Sequence, residues 1–90
     1  MQIAAFFMTD ITDNKAENRY QWDIEGHLAV ADYNRRGDQL AITHVGVPEA
    51  LRNRGIAGKL MAFIVEDAKA QGLTIVPICS YAAAYMQRNK

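Results

Sequence analysis

The apolar residues of this chain repeat with two different periods, and the change from one to the other constrains the fold more than any other feature. In "RYQWDI" (19–24), Tyr20, Trp22 and Ile24 alternate with Gln21 and Asp23, the pattern of a strand with one buried face. Further on, Ile56, Leu60, Phe63, Ile64 and Ala68 form a 3.6-residue stripe, with Lys59, Glu66 and Lys69 off it, as in an amphipathic helix. Strands must come first, and the main helix must follow them.

The intervening residues order the strands. Glu25-Gly26 is a turn signal and "HLAVADY" reads as the returning strand of a hairpin. "NRRGD" (34–38) is a second turn. "QLAITHVGV" (39–47) is a third strand, whose nearly continuous apolar centre suits the middle of a sheet. Gly46 beside Pro48 predicts a bend, bulge or splay at its end. The helix is expected from Glu49 or Arg54 to Gln71, with Gly72 as its stop. "LTIVPI" is a fourth strand, placed by Pro77 at an edge or near its end. A short helix over Tyr81–Gln87, with Ser80 as N-cap, closes the pattern.

The fold class is therefore α+β: a mixed, mostly antiparallel sheet in the order β-β-β-α-β-α, with one crossover helix setting the fourth strand parallel to the third. With 90 residues, one domain over 1–90 is expected. "TDNKAEN" (12–18) is polar and loop-like. The first eight residues fit the plan poorly, so residues 1–13 are either an extra edge strand or a flexible N-terminal segment.

Ten basic and ten acidic residues balance. There is no global attraction to nucleic acid or to an anionic membrane, and no basic stripe interleaved with aromatics. "MQIAAFFM" is short, apolar and lacks a basic lead-in, so neither a signal peptide nor a membrane span is expected. The single cysteine, Cys79, excludes an internal disulfide and a cysteine zinc cluster. The expected location is the cytoplasm. The only histidines, His27 and His44, have no carboxylates at ligand spacing, so no metal site is expected.

The densest chemistry is "RNRGIAGKL" (52–60), at the junction of the third strand and the main helix. A helix leaves its first amides without partners, and its dipole makes that end positive. Glycines let the backbone approach a phosphate, and arginines add forked donors. The stretch has the properties of a diphosphate cradle; the plainer reading is solvated surface at a helix start. It is not a P-loop, because Gly58-Lys59 lacks a following Ser or Thr. Nor is it a dinucleotide fingerprint, because hairpins rather than a βαβ unit precede it.

Arg52-Asn53-Arg54-Gly55-Ile56-Ala57 resembles the Arg/Gln-x-x-Gly-x-Gly/Ala signature of the GNAT superfamily of N-acetyltransferases. Residues 14–89 resemble its small, single-domain members, with "VPICSYAAAY" as the most specific match to their VPxCxYxxxY tail. The resemblance implies a minimal acyl-CoA N-acyltransferase fold and acetyl-CoA or coenzyme A as ligand. The diphosphate would lie on the main chain of Arg52, Asn53, Arg54, Gly55, Ile56, Ala57 and Gly58. The strand before it, Thr43 to Val47, would splay from its parallel neighbour and leave a gap for the pantetheine arm. Val45 and Gly46 depart from the family's pattern, which often has Thr and a polar or charged residue there. A side-chain base expected at 46 is missing. Relatives often continue with a short tail beyond the position of Lys90.

Acetyl transfer needs a neutral amine, a polarised thioester carbonyl and a proton for the departing sulfur. Backbone N–H groups around Val45 and Val47 could polarise the carbonyl. Cys79, before a helix start, is either a reactive thiol or a small buried core residue. Tyr85 matches the position of the general acid in larger acetyltransferases; Tyr81, four residues earlier, would share its helix face. The alternative for both is aromatic packing. His44 is either a base or a hydrogen-bonded structural residue. The function expected is direct acetyl transfer to a primary amine, on a protein side chain or polyamine, with or without help from Cys79. The alternatives are a coenzyme A-binding sensor or interaction module with little catalysis, and a plain α+β domain. The chain is expected to be a monomer or homodimer.

Overall fold

The computed structural model describes residues 10–89. Strand β1 spans Ile11–Asn14, β2 Arg19–Ile24, β3 His27–Arg36 and β4 Gln39–Gly46. A 3₁₀ turn, Glu49–Leu51, leads to helix α1, Ile56–Ala70; strand β5, Thr74–Pro77, and helix α2, Ser80–Arg88, complete the order. The sheet runs β1-β2-β3-β4-β5, antiparallel except for the parallel pair β4–β5. This is the mixed α+β architecture expected, with one strand more at the front.

That strand corrects the reading of 12–18 as a loop. Thr12, Asp13 and Asn14 pair with Gln21, Tyr20 and Arg19, and the turn is confined to 15–18. Their polarity misled because β1 is an edge strand whose pairing is backbone work. The expectation for residues 1–8 lies outside the described residues. The turn expected over 34–38 is also shorter. Arg36 pairs with Gln39, so only Gly37 and Asp38 form it. Glu25 and Gly26 make the hairpin turn as expected, both with positive φ (54° and 81°), as a type I′ turn requires.

One hydrophobic cluster holds the elements together. Tyr20, Trp22, Ala29, Ala31, Tyr33, Leu40 and Ile42 project from one sheet face. Ile56, Leu60, Met61, Ile64 and Ala68 of α1 pack on them, and Leu51 and Ala82 are buried in the same cluster. Met61, outside the sequence stripe, is fully buried. Phe63, inside the stripe, is half-buried at the margin, edge-on to Tyr20 at 6.1 Å between ring centres. Alanines at 29 and 31 keep the middle of the sheet low enough for α1 to lie close.

Two irregularities position the site. First, β3 and β4 slip register between Asp32 and Tyr33: Tyr33 pairs with Ile42 and Asp32 with His44, leaving Thr43 as the extra residue of a bulge. Second, β4–β5 pairing stops at Ile42 and Pro77. The Ile42 carbonyl accepts the amides of Ile78 and Cys79 at 3.0 and 3.1 Å, and the chain then turns into α2. Among the described residues, the stretch of β4 after Ile42 has no partner on its β5 side.

Candidate functional site

The chain after β4 makes the 3₁₀ turn, in which the amides of Leu51 and Arg52 donate to the carbonyls of Pro48 and Glu49 at 2.9 and 3.1 Å. Leu51 is buried and pins the turn to the core. Asn53 and Gly55 then take left-handed conformations, with φ of 67° and 72°, on either side of Arg54. Gly55 is the cap residue of α1, and the first helical bond runs from the Lys59 amide to its carbonyl at 3.1 Å. Consecutive amides around alternating backbone signs turn towards one side and form an anion-receptive concavity.

Among the described residues, the N–H groups of Asn53, Arg54 and Gly55 make no hydrogen bond, and those of Ile56, Ala57 and Gly58 belong to the unpartnered first turn of α1. No side chain fills the place: a Cβ on Gly55 would meet nothing within 4 Å, and one on Gly58 only the Tyr81 hydroxyl, at 3.7 Å. The first turn of α1 carries no acidic residue to compete for its positive end.

A depression of about 170 Å³ opens at this point, lined by Val47, Leu51, Arg52, Asn53, Gly55, Ile56, Ala57, Gly58 and Tyr81. It gathers most of the residues proposed from sequence for a diphosphate. Arg54 differs. Its guanidinium reaches away to Glu25 in the β2–β3 turn, with two contacts at 3.2 and 3.3 Å, and lines a separate depression with Trp22, Ile24 and Lys59. Only its backbone belongs to the loop. Arg52 holds the loop to the end of β4 by donating Nε–H to the Val47 carbonyl at 3.3 Å.

Cys79, not Ser80, caps α2, its Sγ accepting the Ala82 amide at 3.3 Å. A sulfur cap is unusual beside an available serine. The Cys79 backbone is already fixed by its amide's bond to Ile42, so the side chain at 79 meets the open amides of α2. The thiol is half-buried against the core. Tyr81, rather than Tyr85, stands beside the loop. Tyr85 is half-buried against the core a turn further along α2. The signal for Tyr81 was topological: a first-turn residue of a helix starting where β5 leaves β4 lies near the start of α1. Val45 and Val47 pack against the core, whereas His44 is exposed.

A bulged strand, a gap beside it and a glycine-rich turn of open amides thus meet at the start of α1. The chain belongs to the GCN5-related N-acetyltransferase family, whose model matches residues 19–90. The fold is similar to the NMR solution structure of a GCN5-like candidate N-acetyltransferase from Staphylococcus aureus, with TM-score 0.70 and 27% identity over 88% of this chain and 78% of that one. No helix among the described residues is long and apolar enough to cross a membrane.

Proposed function

We propose that the protein binds acetyl-CoA at the Arg52–Gly58 loop and transfers the acetyl group directly to a primary amine, on a protein side chain or a polyamine. The observation that carries this is the row of open amides from Asn53 to Gly58 above an unfilled depression, next to the unpaired edge of β4. Those amides and the positive end of α1 suit a diphosphate, and Arg52 adds charge beside it. Membership of the family and the resemblance of the "VPICSYAAAY" tail to its small members support the same ligand.

Bound acetyl-CoA would supply an acetyl thioester, already activated for attack by an amine. The chain's own part is electrostatic and positional. Beyond Ile42, the N–H groups of β4 at Val45 and Val47 face no β5 ladder and can polarise a carbonyl laid along the gap. Tyr81, beside Gly58, and Cys79, at the mouth of the gap, are candidate proton donors; Tyr85 is less well placed because it sits a turn deeper. Direct transfer is preferred to a route through Cys79, since its sulfur already serves as the cap of α2.

Coenzyme titration tests this. Coenzyme A should raise the melting temperature, and ATP or NAD at the same concentration should raise it much less. Equal effects from all three, or none, would remove the proposal.

A further inference from the structure

The end of the sheet away from the Arg52–Gly58 loop carries a second depression, of about 150 Å³, which the proposed chemistry does not use. Its floor is aromatic and apolar: Tyr20, Tyr33 and Leu40 are buried there and Leu73 is half-buried. Its charged groups are Asp13, Lys15 and Arg35. Gln71, just past the last turn of α1, stands at its rim. The 15 residues of α1, about 22 Å of helix, separate it from the loop. The parallel β4–β5 ladder is continuous from Gln39 to Ile42, so this end of the sheet is closed off from the gap beside β4.

Asp13 is in an unexpected place. It alternates with buried Ile11 along β1 and stands opposite buried Tyr20. It therefore projects from the core face, where an apolar side chain would cost less. The Tyr33 hydroxyl donates to Asp13 Oδ1 at 2.6 Å, and Oδ2 has no partner among the described residues. Arg35, two residues beyond Tyr33 on β3, projects from the same face. Its Nε donates to the Gly37 carbonyl at 3.3 Å and its Nη1 to Gln71 Oε1 at 3.5 Å. Gln71 in turn donates to Asp67 Oδ2 at 2.8 Å, an acceptor shared with the Tyr20 hydroxyl. Opposite charges around one depression ordinarily close into an ion pair. Among the described residues, Asp13, Lys15 and Arg35 take part in none. The phenol holds the carboxylate on one side, Gly37 and Gln71 hold the guanidinium on the other, and the space between them is open.

We infer that this depression is a second ligand site, and that it takes a small α-amino acid as its zwitterion. The inference goes beyond the acetyl-CoA reading and does not depend on it. The ligand carboxylate pairs with the forked guanidinium of Arg35, and Lys15 adds charge from the rim. The ammonium group donates to Asp13 Oδ2. A short apolar side chain lies on Leu40, Leu73 and the tyrosine rings. Size selects this class: at about 30 Å³ per molecule the space equals about five waters, too little for a nucleotide. Charge selects it too. A simple carboxylate would leave Asp13 unpaired beside it, and a simple amine would face two cations.

NMR titrations of the full chain test this, with L-valine as the probe. L-Valine should shift the methyl signals of Leu40 and Leu73 and the side-chain amide of Gln71 saturably, and leave the Gly58 amide still. Isovalerate, which lacks the ammonium group, and isobutylamine, which lacks the carboxylate, should each bind about tenfold more weakly or worse. Arg35→Gln and Asp13→Asn should each weaken L-valine binding by a similar factor; both keep a hydrogen-bonding group in place, and dispersed spectra check that they fold. Isovalerate binding as tightly as L-valine overturns the zwitterion assignment, since Asp13 then has no part. No saturable shift at millimolar L-valine, or binding unchanged by both substitutions, overturns the site. Coenzyme A added to the same sample and read at the Gly58 amide reports separately on the acetyl-CoA reading.

Discussion

Arg54 and Glu25 lie 29 positions apart in the chain, and their side chains meet in a two-point contact that ties the glycine-rich loop to the tip of the β2–β3 hairpin. The pair faces solvent, so its value is in holding the loop rather than in stability. Arg54 lowers the carboxyl pKa of Glu25 below its ordinary range, first by hydrogen bonding and then by charge. A depressed carboxylate contributes above its unfolded pKa and loses the contribution as pH falls through the folded value. The tie should therefore persist at neutral pH and release on acidification below the ordinary glutamate range. In Arg54→Ala the Glu25 carboxyl should titrate higher, read by carboxyl carbon NMR, and the Asn53–Gly55 amides should exchange faster at neutral pH.

Gly55 and Gly58 should respond differently to alanine. Gly55 has φ of 72° with open space around it, so a side chain there is strained rather than crowded, at about 1–2 kcal/mol. Gly58 lies within the first turn of α1, where an added Cβ would meet only Tyr81 at ordinary contact distance. Gly58→Ala should stabilise the fold by up to about 1 kcal/mol while weakening coenzyme A binding, because the methyl group enters the depression. Urea denaturation and calorimetric titration of the same variant would show the opposite signs.

Cys79 can be divided into its two candidate roles. Serine restores an N-cap oxygen, whereas alanine removes the cap altogether, at about 0.5–2 kcal/mol. Cys79→Ser should therefore match the parent in thermal stability and Cys79→Ala should fall below it. If the acetyl group passes directly to the amine, Cys79→Ser should keep most of the acetylation rate. Loss of all activity in a stable Cys79→Ser protein would mean that the thiol itself carries chemistry.

Tyr20 is almost completely buried and its hydroxyl donates to Asp67 Oδ2 at 2.5 Å; Tyr33 donates to Asp13 Oδ1 at 2.6 Å. Burial first, then the bonded carboxylate, raises both phenol pKa values well above 10.0. Groups raised in this way support the fold fully below the unfolded pKa and withdraw support as pH rises towards the folded value. Stability should thus decline from about pH 10 upwards, and absorbance at 295 nm should show these two phenolates appearing only with unfolding. Tyr20→Phe, which leaves Asp67 with Gln71 as its remaining donor, should cost about 1–2 kcal/mol at neutral pH.

The sequence by itself determined the periods. Alternation over 19–24 and the stripe from Ile56 decide which faces are buried, because burial of a face depends only on local geometry and side-chain type. The Glu25-Gly26 turn, the crossover helix and the glycine-rich turn that opens it were legible for the same reason. Residues 12–14 read as loop because an edge strand can be held by backbone bonds under polar side chains, and Met61 was left off the stripe because a helix face widens where the sheet below it is low.

Tertiary structure alone decided where the candidate side chains go. It turned Arg54 out to Glu25, brought Tyr81 rather than Tyr85 to Gly58, moved the α2 cap from Ser80 to Cys79, and laid His44 over Gly46. Each outcome depends on which strand or helix lies opposite. A register slip at Thr43 and a ladder that ends at Pro77 set those partners, and both arise from pairing between segments distant in the chain, which no local pattern encodes.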